Sequence, residues 1–246
     1  IPHLQHRSNR FILKLRRNRE RKMTAGKSIV LTADRSLMTN YRGNFLYGFI
    51  ACGPYELVPE FVFDKLFCPS VETNQSTGEV KVAQCGLRRI ESALLKEYKR
   101  EDIFLAHPEM LHKCIGSATK VVGINVMDPL GMAPVTTTMS PEKLSYVAMK
   151  FKKMCASIIQ LKKKYNFKVA VGGNGAWELA KPDRMKIHGI DTVVIGEADE
   201  LALDLFHDLE TGDAPELLHT FVRNIENIPM IRGPTINSLI EAMRGC

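Results

Sequence analysis

The sequence predicts an α/β fold: a doubly wound, mainly parallel sheet of about five strands with helices on both faces. Three observations carry this expectation. Short apolar runs recur along the chain, each bounded by polar or glycine-bearing loops, as buried parallel strands are. Segments with apolar residues at helical spacing lie between them. Strand follows helix almost throughout, which calls for parallel neighbours joined by crossovers.

The elements follow in order. Residues 28–32 form the first strand, ending at Ala33-Asp34-Arg35-Ser36. Residues 36–78 are rich in glycine, proline and aromatic residues, and are expected to be a long ordered loop on the active face with a short helix at 59–67. Leu87, Ile90, Leu94 and Leu95 mark an amphipathic helix over 87–98. A strand at 102–106, a short helix at 109–115 and a nearly all-apolar strand at 121–126 come next. Ser140-Pro141 reads as an N-cap with proline at the first helical position, and predicts a long helix over 142–165. A strand at 168–171, a helix at 182–188, a strand at 192–195 and a helix at 200–209 complete the pattern. The expected organisation is a basic tail (1–26), the α/β domain (27–212) and a linker (213–246) with Pro229 and Pro234.

The formal charge of +7 belongs to the tail. Arg7, Arg10, Lys14, Arg16, Arg17, Arg19, Arg21 and Lys22 face only Glu20, and the remainder of the chain is balanced. The tail reads as upstream sequence or a fragment boundary rather than a nucleic-acid-binding arm. No apolar run approaches the roughly 18 residues of a membrane span. The six cysteines, Cys52, Cys68, Cys85, Cys114, Cys155 and Cys246, form no C-x-x-C pair. Without a recognisable signal peptide they are expected to be reduced thiols of a cytoplasmic protein.

In a parallel sheet the ligand lies beyond the carboxyl ends of the strands, so the loops there carry the candidates. Gly172-Gly173-Asn174-Gly175 follows a strand directly; three glycines either let a ligand approach the backbone or make a tight turn without one. The pattern is not G-x-G-x-x-G, which disfavours a nicotinamide dinucleotide. In Gly196-Glu197-Ala198-Asp199-Glu200, the helix dipole accounts for Asp199 and Glu200, while Glu197 could accept hydrogen bonds from a ligand. Met127 and Met132 flank Asp128-Pro129-Leu130-Gly131 and suit either a flat macrocycle or the core. His107, which ends a strand, is read as structural or solvent-exposed, and Lys162-Lys163-Lys164 as a solvated helix end.

Five stretches, taken together, carry a family likeness. They run from Val30 to Met38, from Val121 to Asn125, from Asp128 to Pro134, from Val171 to Asn174 and from Asp191 to Glu197, and Met243-Arg244-Gly245-Cys246 follows them. In this order they resemble the N-terminal cobalamin-binding-type domain of a radical S-adenosylmethionine enzyme, over roughly residues 27–246. The resemblance implies a Rossmann-like domain that holds a corrinoid at the carboxyl edge of its sheet. It also implies a following barrel, the partner of this domain, with a [4Fe–4S] cluster on a C-x-x-x-C-x-x-C loop that cleaves S-adenosylmethionine to a radical. Many members then move a methyl group from cobalt to an unactivated carbon.

On this reading Thr32, Ala33, Asp34, Met127, Asp128, Gly172, Gly173, Asn174 and Glu197 line the ligand face, and Cys246 is the first cluster ligand of the complete protein. Two departures stand out. The D-x-H-x-x-G motif is missing, so a histidine lower ligand is not expected, and one cysteine alone cannot hold the cluster. Two other readings stay open: a vestigial docking module that binds no corrinoid, and a free-standing nucleotide- or flavin-binding domain.

Overall fold

The computed structural model describes residues 26–239; the basic tail and Cys246 lie outside the described residues. A six-stranded, all-parallel sheet forms the centre, in the order β2-β1-β3-β4-β5-β6. Its strands are β1 (Ile29–Ala33), β2 (Ile103–Leu105), β3 (Val121–Asn125), β4 (Lys168–Gly172), β5 (Thr192–Gly196) and β6 (Leu217–Thr220). The helices are α1 (Leu46–Ala51), α2 (Glu60–Leu66), α3 (Cys85–Leu94), α4 (Leu111–Cys114), α5 (Pro134–Met139), α6 (Tyr146–Lys162), α7 (Pro182–His188) and α8 (Ala202–Thr211). No described helix is long and apolar enough to cross a membrane.

Alternation along each strand divides the core in two. Val30, Val122, Ile124, Val169, Val171 and Val193 point to the face covered by α4, α6 and α7. Ile29, Leu31, Val121, Ala170 and Val194 point to the face covered by α3 and α8, where Leu87, Leu205 and Phe206 meet them. Both faces are buried, which is why the central strands read as continuous apolar runs.

The structure departs from the sequence expectation in three places. The segment taken as a linker contains β6, a sixth strand paired with β5 from Val193–Leu217 to Gly196–Thr220. As an edge strand it is half-exposed and short, so it lacks the apolar run that marks its neighbours. The long helix starts at Tyr146, capped by the Ser145 hydroxyl, which accepts the Ala148 N–H at 3.3 Å. Ser140 instead ends α5, and Glu142 sits at φ 57°, outside the helical region. The 36–78 segment is an ordered insertion carrying α1 and α2, but it packs on α6 through Phe63, Tyr146 and Met149. The Phe63 and Tyr146 rings stack there with centroids 3.5 Å apart.

Candidate functional site

A cavity of about 440 Å³ opens at the carboxyl ends of β3, β4 and β5, on the face covered by α3 and α8. Volumes of roughly 300–1,000 Å³ are usual for small-molecule pockets. Its floor is apolar, with Leu31, Ala170, Val194, Leu205 and Phe206. Polar groups gather toward the strand ends: Gln84, Arg89, Asn125, Asn174, Glu197 and Asp199.

Each polar group is placed by its element. Asn125 ends β3, and its amide donates to the Gln84 carbonyl oxygen in the turn that leads into α3. Arg89, on the inner side of α3, pairs with Asp199 at 3.2 Å and so ties that helix to the turn before α8. Glu197 follows β5, and its Oε2 accepts the Val222 N–H at 3.2 Å. The one guanidinium in the lining is therefore paired with a carboxylate, a second carboxylate shares the lining, and the amides are the neutral hydrogen-bonding groups.

Of the nine residues expected on the ligand face, Met127, Gly172, Gly173, Asn174 and Glu197 line this cavity. Thr32, Ala33, Asp34 and Asp128 are turned elsewhere. Thr32 and Ala33 are buried in β1, with the Thr32 hydroxyl donating to the Ala106 carbonyl at 2.9 Å. Asp34 caps the turn at Arg35–Leu37, taking the Ser36 N–H at 2.8 Å and the Ser36 hydroxyl at 2.5 Å. Burial pushes its carboxyl up to about 6. Asp128 accepts the Ala133 N–H at 2.9 Å and the Thr136 hydroxyl, and closes its own loop. These four share the carboxyl edge with the cavity, but Thr32 serves the other face of the sheet, Asp34 and Asp128 hold their own turns, and Ala33, on the cavity's face, is packed into the core outside the lining.

The glycine loop after β4 also has a cause within the chain. Gly173 has φ +109°, and a Cβ there would stand 2.4 Å from both Asn125 Oδ1 and the Val126 carbonyl. A Cβ at Gly175 would stand 2.2 Å from the Met127 carbonyl. These two glycines bring the β4 loop against the β3 loop; at Gly172 a Cβ would meet only Val194, at 3.9 Å. Gln84, Arg89 and Asn125 were not foreseen, and Asp199 was assigned to the helix dipole alone. Asn125 carried a signal, being a polar residue at the end of an apolar strand. Arg89 carried none, because its partner lies far along the chain.

His107 is buried away from the cavity, its Nδ1 accepting the Glu109 N–H at 3.3 Å. Burial, aided by Arg35, pulls its imidazole down to about 4, so it is neutral at ordinary pH. The five described cysteines are free thiols. No group of three or more His, Cys, Asp or Glu side chains among the described residues could hold a metal ion.

Fold and cavity together define an all-parallel, doubly wound α/β domain with a ligand-sized opening at the carboxyl edge of its sheet. Comparison with protein-family models, with curated proteins and with solved structures found no match.

Proposed function

We propose that this chain is the corrinoid-binding part of a radical S-adenosylmethionine enzyme. The observation that carries the reading is the open, apolar-floored cavity beside Met127, whose side chain is 51% exposed at its rim. A complete corrinoid is larger than about 440 Å³, so its macrocycle must rest outside with only its nucleotide appendage entering. The residues suit that division. Leu31, Val194 and Phe206 offer an apolar bed for a flat base and exclude water from it. Asn125, Asn174 and Gln84 can exchange hydrogen bonds with carboxamides such as those that fringe a corrin. Met127 and Leu239 give the ring polarizable or apolar contacts at the rim. When bound, the corrinoid would supply methyl-carrying chemistry, and these residues position it.

Met132, Val135, Met139 and Trp177 are also exposed, and they suit a partner domain closing over the ligand. Cys246 as the first cluster ligand, and a cytoplasmic site of action, belong to the same proposal. Glu197 and Asp199 beside Arg89 work against a phosphate at the rim, which favours this reading over a free nucleotide- or flavin-binding domain.

Titration of the purified chain with hydroxocobalamin tests it. Saturable binding with a changed visible spectrum, resisted by neither ATP nor FMN, is the expected result. Saturation by ATP or FMN instead would favour the nucleotide reading. No binding of any of the three would leave the domain a docking module and defeat the proposal.

A further inference from the structure

The chain beyond β6 is held on both sides of the cavity, at the turn before α8 and along α3. Carboxylates before α8 take hold of it first. Glu197 accepts the Val222 N–H, and Glu200 accepts the Arg223 N–H at 2.6 Å, the Asn224 N–H at 3.1 Å and the Asn227 side-chain amide at 2.8 Å. Its middle is largely exposed at Phe221, Ile225 and Met230, with Pro229 buried between them. The far end is fastened along α3. The Arg232 N–H donates to the Ser92 hydroxyl at 3.2 Å, and Arg88 Nε donates to the Pro234 carbonyl at 3.0 Å. A short parallel bridge joins Ala83 to Thr235, with the Ile236 N–H donating to the Ala83 carbonyl at 2.9 Å. Gly233 lies against the Arg88 guanidinium, so that a Cβ there would stand 2.7 Å from Nη1. From this anchor the chain reaches Leu239, which lines the cavity.

We propose that residues 221–239 are a strap that staples α3 to the turn before α8 and controls access to the cavity between the two helices. The two anchors sit on opposite sides of the cavity, so releasing either one frees the strap, while the Arg89–Asp199 pair still joins α3 to the turn before α8. The Glu200 anchor consists of a few polar contacts at the surface, and residues 223–227 beside it are exposed, whereas the α3 anchor is firmer, with Arg88, Ser92 and Ile236 buried. The surface anchor can open locally at far lower cost than the core. Opening the Arg88 anchor withdraws Leu239 from the lining, and opening the Glu200 anchor frees the α8 side. Glu197 belongs to both the lining and the strap, so an occupant that engages its carboxylate competes with the Val222 N–H. The strap concerns the cavity used in the proposed function but does not depend on which ligand fills it.

Cys85 lines the cavity and reports on access, while half-buried Cys52 lies on the insertion and serves as control. The full chain is alkylated with a bulky maleimide, and each cysteine is followed by peptide mass spectrometry alongside amide hydrogen exchange. Glu200→Ala removes three acceptor contacts at the surface, and Gly233→Val drives the strap off Arg88. In either variant Cys85 is expected to react about fivefold faster or more, with strap amides exchanging faster and Cys52 unchanged. Faster strap exchange with an unchanged Cys85 rate overturns the proposal, as does unchanged strap exchange in both variants. If Gly233→Val unfolds, buried Cys68, Cys114 and Cys155 will react as well, and Glu200→Ala then decides. Failure of hydroxocobalamin binding alters none of these readings, so the two proposals fall separately.

Discussion

Glu178 is buried beside Asp128, so two carboxyl groups meet behind the wall of the cavity. Glu178 is 1% exposed, and its Oε2 accepts the Leu130 N–H at 2.7 Å. Asp128 holds the Ala133 N–H and the Thr136 hydroxyl. The pair therefore locks the loop after β3 to the turn after β4, the two loops whose outer sides carry Met127 and Asn174 into the cavity. Burial pushes the Glu178 carboxyl up to about 8, and the neighbouring Asp128 adds to the shift. Glu178 is thus protonated at neutral pH, as expected for two carboxyls that cannot both ionise in a dry site.

This gives stability a defined pH dependence. A carboxyl raised from 4.5 to about 8 on folding contributes stability that is complete below the lower value and is lost as pH rises through the upper one. Asp34, raised from 3.8 to about 6, acts with the same sign but is spent by then. His107, lowered from 6.5 to about 4, acts with the opposite sign, and its contribution is lost as pH falls through that window. Between pH 6.5 and 8 Glu178 alone of the three is titrating. The melting temperature of the wild-type chain should fall across that interval, and Glu178→Gln should flatten the fall. Parallel curves for the two proteins would refute the assignment.

The insertion depends on a second buried arrangement. Lys150 Nζ stands 2.7 Å from Glu60 and 2.8 Å from Asp64, and Asp64 also takes Arg35 Nε at 3.0 Å and the Tyr146 hydroxyl. Lys150→Met should cost about 3 kcal/mol, because removing one partner strands the others in a partly desolvated site. Urea unfolding measures the loss. Hydrogen exchange should rise chiefly in α1 and α2, while β3 and β4 stay protected; a uniform rise would show that the cluster supports the whole domain instead.

Gly173 and Gly172 are adjacent but should respond differently to alanine. At Gly173 the new Cβ meets Asn125 and Val126 atoms at 2.4 Å with φ at +109°, so Gly173→Ala should lose about 2–4 kcal/mol. At Gly172 the nearest atom would be 3.9 Å away, so Gly172→Ala should change stability by less than about 1 kcal/mol. Thermal unfolding of the two variants side by side is the check, and equal losses would contradict the contact geometry.

Much of this architecture was legible because buried parallel strands write themselves as apolar runs, as Val121–Asn125 and Thr192–Gly196 do. β6 escaped notice because Leu217–Thr220 is an edge strand, exposed enough to carry histidine and threonine. The start of α6 was misplaced because Ser140 and Ser145 are both plausible caps, and only the positive φ of Glu142 excludes the first. For the site, strand-end logic found Met127, Gly172, Gly173, Asn174 and Glu197, since any parallel sheet gathers such positions at one edge. It also drew in Thr32, Ala33, Asp34 and Asp128, because sequence places a residue at an edge without saying whether its side chain reaches the cavity, the core or its own turn. The Arg89–Asp199 pair depends on α3 packing beside α8, and no local pattern reveals that.

The space beside Gly172 offers the most direct test of where the ligand sits. The residue ends β4 on the cavity side, and an ideal Cβ meets only ordinary contacts there. A leucine at this point would extend into a cavity of about 440 Å³ without displacing backbone. Gly172→Leu should therefore keep a melting temperature within about 4 °C of wild type, the shift produced by roughly 1 kcal/mol in a domain of this size. Its affinity for hydroxocobalamin should fall about tenfold or more, corresponding to the loss of roughly 1.4 kcal/mol of contacts. A folded Gly172→Leu protein that binds hydroxocobalamin as tightly as wild type would move the ligand out of this cavity altogether, since no bulky group could share that volume with the new side chain.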